Sequence, residues 1–125
     1  MQNIVKMLRM ASETVRLLSR EQDRLAAEHV LALCRQWLRD RSVSGSTLLD
    51  LLDNEESGIT LKEEAAENEA EQAVWNCIID AAAYTARLAY EAEQCPFLPE
   101  PLELADASIL PHFEACYLTC FPEGE

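Results

Sequence analysis

The chain of 125 residues carries 10 Lys+Arg against 23 Asp+Glu, a formal net charge of −13, with 49% hydrophobic residues, 3 Gly and 5 Pro. That length and apolar fraction predict a single folded domain over residues 1–125 rather than a disordered chain. So acidic a surface repels phosphate backbones and anionic lipid, which argues against nucleic-acid and membrane partners.

The charge is unevenly placed. Residues 1–41 hold eight of the ten basic side chains against five acidic ones, a net of +3, whereas residues 42–125 hold only Lys62 and Arg87 against 18 acidic ones, a net of −16. Part of this can pair inside the fold. The excess must face solvent or a partner. The first fifteen residues lack the apolar core of a signal peptide and carry Lys6 and Arg9, so a cytoplasmic protein is expected. The cysteines, Cys34, Cys77, Cys95, Cys116 and Cys120, are odd in number and include no CxxC pair. They read as reduced and packed rather than as a disulfide framework.

In chain order, Ile4, Leu8, Ala11, Val15 and Leu18 recur at helical steps and predict an amphipathic helix over about 3–18. Ser19 with Gln22 reads as a capping box opening a second helix over about 20–40, whose apolar face includes Ala27, Leu31, Cys34 and Leu38. Residues 42–45 form a turn, and a short helix follows over Leu48, Leu49, Leu51 and Leu52. Thr60 with Glu63 reads as a second capping box, starting a helical pattern that runs to about Gln94 with a break near Glu67–Asn68. Within it, at about 69–94, Glu69, Gln72, Asn76, Asp80, Arg87, Glu91 and Gln94 share one polar stripe and nearly everything else is apolar. A helix apolar over most of its circumference is surrounded by others, so this is the expected central helix, with Trp75 and Tyr84 in the core. Pro96, Pro99 and Pro101 predict an extended crossing, and a last helix begins near Asp106 or Ser108, with Pro111 in its first turn. The fold class is all-α: a compact bundle of five or six helices around the central one.

Candidate chemistry is sparse. His112, Cys116 and Cys120 recur every four residues and could present three soft ligands, the fourth being Cys34, Cys77 or Cys95 brought in by folding. Such cysteines more often pack as small hydrophobes, so no metal and no cofactor is expected. Asp80 and Arg87 read as part of a solvated stripe, with Arg87 paired to Glu91 at i,i+4. The acidic run lacks the order of a calcium loop, and an enzyme is not expected. What remains is a charged face: Asp50, Asp53, Glu55, Glu56, Glu63, Glu64 and Glu67 fall within eighteen residues that hold one Lys. An exposed edge of this kind suits a basic protein partner.

The segment WNCIIDAAAYTARLAY at 75–90, the LPEPLE at 98–103 and the short C-terminal helix resemble the immunity protein six family of bacterial polymorphic-toxin systems. The likeness is carried by Trp75, Tyr84, Ala89, Tyr90 and Leu98-Pro99-Glu100-Pro101, a packing signature rather than a catalytic motif. The resemblance implies a small helical protein that binds and neutralises a cognate toxin domain; many such toxins are nucleases with basic sites. It implies no particular contact residues, so the acidic 50–67 region, with the 98–103 loop, is the surface expected on charge. The alternative is a regulatory helical module that self-associates through apolar faces, as a homo-oligomer.

Overall fold

The computed structural model describes residues 2–54, 58–99, 102–103 and 105–122. These form six α-helices: α1 Gln2–Thr14, α2 Glu21–Asp40, α3 Gly45–Asp53, α4 Ile59–Glu64, α5 Glu69–Ala92 and α6 Asp106–Cys120. There is no strand among the described residues. The all-α expectation holds, and so does the break, because Asn68 turns out to extended backbone and its side chain accepts the Glu71 N–H.

Helix α5 is the axis. It contacts each of the other five helices. Trp75, Tyr84 and the segment 80–86 are buried, and Ala81, Ala82, Ala86 and Ala89 are wholly enclosed. With no side chain beyond Cβ, these alanines let neighbouring helices approach closely. The large apolar side chains around them, Ile4, Leu31, Leu48 and Phe113 among others, each contribute about 1.5–3 kcal/mol on burial.

The helices depart from the sequence expectation in four places. Ser19 does not cap α2. The cap position is Arg20, without a side-chain cap bond, while the Ser19 hydroxyl and N–H both donate to the Glu71 carboxylate on α5, at 2.9 and 3.3 Å. Thr60 does not cap α4 either: Gly58 holds the cap position, and the Thr60 hydroxyl donates to the Leu52 carbonyl at 2.7 Å. In both cases the hydroxyl is turned toward an acceptor outside the helix it precedes or opens and away from the capping position. The α-helical part of the first segment ends at Thr14 and tightens into a 3-10 turn over Val15–Leu17, with the buried Thr14 hydroxyl bonded back to the Ala11 carbonyl. Pro111 also sits deeper than expected, in the second turn of α6, where it removes one helical hydrogen bond.

The polar stripe of α5 is not solvated along its length; α6 covers its middle. The two helices meet antiparallel, Asp80 facing His112 and Arg87 facing Asp106, each pair at 2.6 Å. The close ion pair of Arg87 is thus interhelical, with Asp106, and the expected partner Glu91 acts on it only as a nearby charge. Tyr84 adds its hydroxyl to Asp106 at 3.2 Å, and the Arg87 guanidinium lies 4.6 Å from the Tyr84 ring centroid. At the far end of α6, the Tyr117 hydroxyl donates to Glu13 on α1 at 2.6 Å.

Helix α3 docks on α5 through a point of closest approach at Gly45. A Cβ there would stand 2.7 Å from Cδ2 of the Tyr90 ring. Two acceptors serve the α3 N-terminus, the Ser44 hydroxyl for the Thr47 N–H and the Glu93 carboxylate for the Gly45 N–H at 2.7 Å. An anion at that end of a helix is favourable.

Two outcomes follow from this packing. Gly45→Ala should destabilise the protein by about 1–3 kcal/mol in urea unfolding, because the ring of Tyr90 must shift to admit the methyl group. The Arg87 hydrogen bond holds the Asp106 carboxyl below its ordinary value, with Tyr84 adding to it. A depressed carboxyl stabilises the fold above its unfolded pKa, about 3.9, and loses that contribution as pH falls through the lower folded value. The stability gap between the wild type and Asp106→Asn should accordingly close below about pH 4; a gap independent of pH would refute the ion pair.

Candidate partner-binding surface

The acidic run divides by helix end. Asp50 and Asp53 lie exposed in the last turn of α3, and Glu63 and Glu64 end α4. Negative charge there opposes the partial negative charge of the helix C-terminus. The one lysine of the run does not offset it, because Lys62 reaches across to Asp23 on α2 at 2.9 Å. Glu63 accepts a hydrogen bond from Gln72. Asp50, Asp53 and Glu64 form no ion pair among the described residues.

Glu67 belongs to a different setting. It precedes the α5 N-terminus, where Glu69 and Glu71 also sit, and there negative charge is favourable. It pairs with Arg20 at 2.8 Å, with both side chains well exposed, so the pair itself stabilises little. Glu55 and Glu56 lie outside the described residues. Helices α3 and α4 touch one another, so the uncompensated carboxylates of their ends belong to neighbouring elements.

After α5, Leu102 is buried and anchors the proline-rich crossing, with Leu98 and Pro99 half-buried. Phe97 beside them is 84% exposed, the most exposed of the large apolar side chains among the described residues. Nothing in the sequence singled it out, because the prolines of this crossing interrupt the periodicity that tells an inward from an outward side chain. Glu100 and Pro101 lie outside the described residues.

A second polar cluster sits where α6 crosses α5. Asp80 contacts His112 Nδ1, and Cys116 Sγ lies 3.8 Å from His112 Nε2. Burial pushes the Asp80 carboxyl above its ordinary value, and His112 only partly opposes this. Burial likewise pushes the Cys116 thiol up to about 11, with Asp80 and Cys120 adding to it. The thiols of Cys77 and Cys120 act on one another, Cys77 being pushed up and Cys120 down. Cys34 is buried elsewhere, and Cys95 follows α5. Sequence spacing found the α6 members of this cluster but not Asp80, whose side chain reads as solvated until α6 is laid over it.

Residues 2–123, nearly the whole chain, match the family model described as Immunity protein Imm6. No curated protein and no solved structure matches the chain. No helix among the described residues is long and apolar enough to cross a membrane.

If the carboxylates at the α3 and α4 ends are electrostatically uncompensated, removing one should help the free protein. Asp53→Asn and Glu64→Gln should each stabilise it by about 0.3–1 kcal/mol at low ionic strength, with the gain shrinking in high salt. Urea unfolding at two salt concentrations measures this, and a loss of stability would contradict it.

Proposed function

The chain belongs to the Imm6 immunity protein family, and we propose that it acts without catalysis, binding a cognate toxin domain through the acidic ends of α3 and α4 and thereby neutralising it. Family membership carries the coarser part, immunity against a toxin. The surface is argued from one observation. Asp50, Asp53 and Glu64 are exposed, unmatched by any cation among the described residues and set against their own helix dipoles. Carboxylates so placed lower the stability of the free protein, and a basic partner would reverse the sign of their contribution.

A toxin acting on nucleic acid would present such a partner, since a site built for phosphates is basic. Covering it, or a patch beside it, with carboxylates blocks substrate by occupation and repels it by charge. Phe97 supplies what charge lacks. An exposed aromatic ring on a proline-braced loop loses little conformational freedom on burial and fits an anchor role at the interface. Glu55 and Glu56 extend the acidic sequence between α3 and α4 and belong to the same proposal.

The experiment is association kinetics with the toxin domain encoded beside this protein. Reversing Asp50, Asp53 and Glu64 to Lys should slow association roughly ten-fold or more and flatten its salt dependence, with helicity unchanged. Phe97→Ala should instead speed dissociation, by roughly ten-fold or more if the ring is an anchor. Association unaffected by the triple reversal would overturn the acidic surface while leaving the family assignment intact.

A further inference from the structure

Three ligand-type atoms from two helices converge at the α5–α6 crossing. A carboxylate oxygen of Asp80, a ring nitrogen of His112 and the sulfur of Cys116 all lie within 4.8 Å of one another. The two ring nitrogens of His112 have separate neighbours, Nδ1 at 2.6 Å from Asp80 Oδ2 and Nε2 at 3.8 Å from Cys116 Sγ.

That division of labour is the arrangement a metal-binding histidine needs. One nitrogen is held by a carboxylate, which fixes the tautomer and aims the other nitrogen outward. With ordinary Zn–N and Zn–S bonds of about 2.0–2.1 and 2.3 Å, two ligands of a tetrahedral zinc lie about 3.6 Å apart. The observed 3.8 Å between Nε2 and Sγ is close to that edge. His112 and Cys116 stand four residues apart on α6, so both project from one face of it. The Asp80 side chain is 10% exposed and that of His112 is 54% exposed, so the orienting carboxylate is sheltered while the ring remains open to an arriving ion.

We propose that His112 Nε2 and Cys116 Sγ bind a zinc-class divalent cation, with Asp80 as the carboxylate that holds the imidazole and water completing the coordination. Cys116 gives up its proton to solvent as it ligates, so binding tightens as pH rises. The occupied site joins α6 to the covered middle of the α5 stripe. Nothing in the toxin-binding proposal depends on it, since the residues of the two are disjoint.

The test is metal binding by the reduced, metal-free full chain. Dialysis against micromolar zinc chloride should leave one zinc per chain. Cobalt(II) in its place should give a thiolate-to-metal charge-transfer band in the near ultraviolet. Cys116→Ser should abolish the band, His112→Ala should weaken binding at least ten-fold, and Asp80→Asn should weaken it about 10–100-fold. Cys95→Ser should change none of these. In the wild type, zinc should shift the NMR signals of the His112 ring and spare those of His29, which locates the ion without any variant. The proposal is overturned if no stoichiometric metal is retained, if the cobalt band survives Cys116→Ser, or if zinc leaves the His112 ring signals unmoved.

Discussion

Enclosure of α5 is the constraint from which the remaining arrangement follows. Its apolar circumference requires neighbours on nearly every side, and its wholly enclosed alanines let them come close. A helix so enclosed cannot leave a polar stripe unanswered, because a buried charge without a partner costs several kcal/mol, on the order of 3–5. Helix α6 answers it. Asp106 meets Arg87 and His112 meets Asp80, and the spacing of the two pairs fixes how far along α5 the last helix can slide. A purely apolar α6 would pack there too, but without the Asp106 and His112 contacts that set its register.

The same economy sorts the acidic side chains. Those close to the α5 N-terminus find a favourable dipole, and Arg20 and Ser19 come to meet them. Lys62 is spent on Asp23. Asp50, Asp53 and Glu64, at the ends of α3 and α4, have neither a favourable dipole nor an ion pair among the described residues. A net charge of −13 is thus not one property: part of it is built into the fold, and part is carried against the interest of the isolated molecule.

How far the sequence could be read depended on whether a feature is local. The central helix, the burial of Trp75 and Tyr84, the break before Asn68 and the start of α6 at Asp106 all rest on short-range periodicity or on the conformational limits of proline, and each is found. Ser19 and Thr60 were misread because their hydroxyls take acceptors from distant elements, Glu71 and the Leu52 carbonyl. Asp80 and Arg87 were misread for a related reason. Position on a helix face says which residues lie together, not what will later cover them. Of the acidic residues singled out by sequence, Asp50, Asp53 and Glu64 are exposed without an ion pair, Glu63 and Glu67 take partners within the fold, and Glu55 and Glu56 fall outside the described residues.

The docking of α1 has a consequence in time. Its buried face, with Ile4, Leu8 and Ala11, packs on α5, and Glu13 of the helix that carries that face is tied to Tyr117 on α6. A ribosome adding roughly 5–20 residues per second finishes α5 on the order of ten seconds after it finishes α1. Helical domains of low contact order fold in microseconds to milliseconds once their parts are present. Translation, rather than folding, therefore sets how long a new chain stays unfinished. Until α5 emerges, α1 and α2 have only each other and the short α3 to pack against, and the faces they will turn to α5 are open to chaperones.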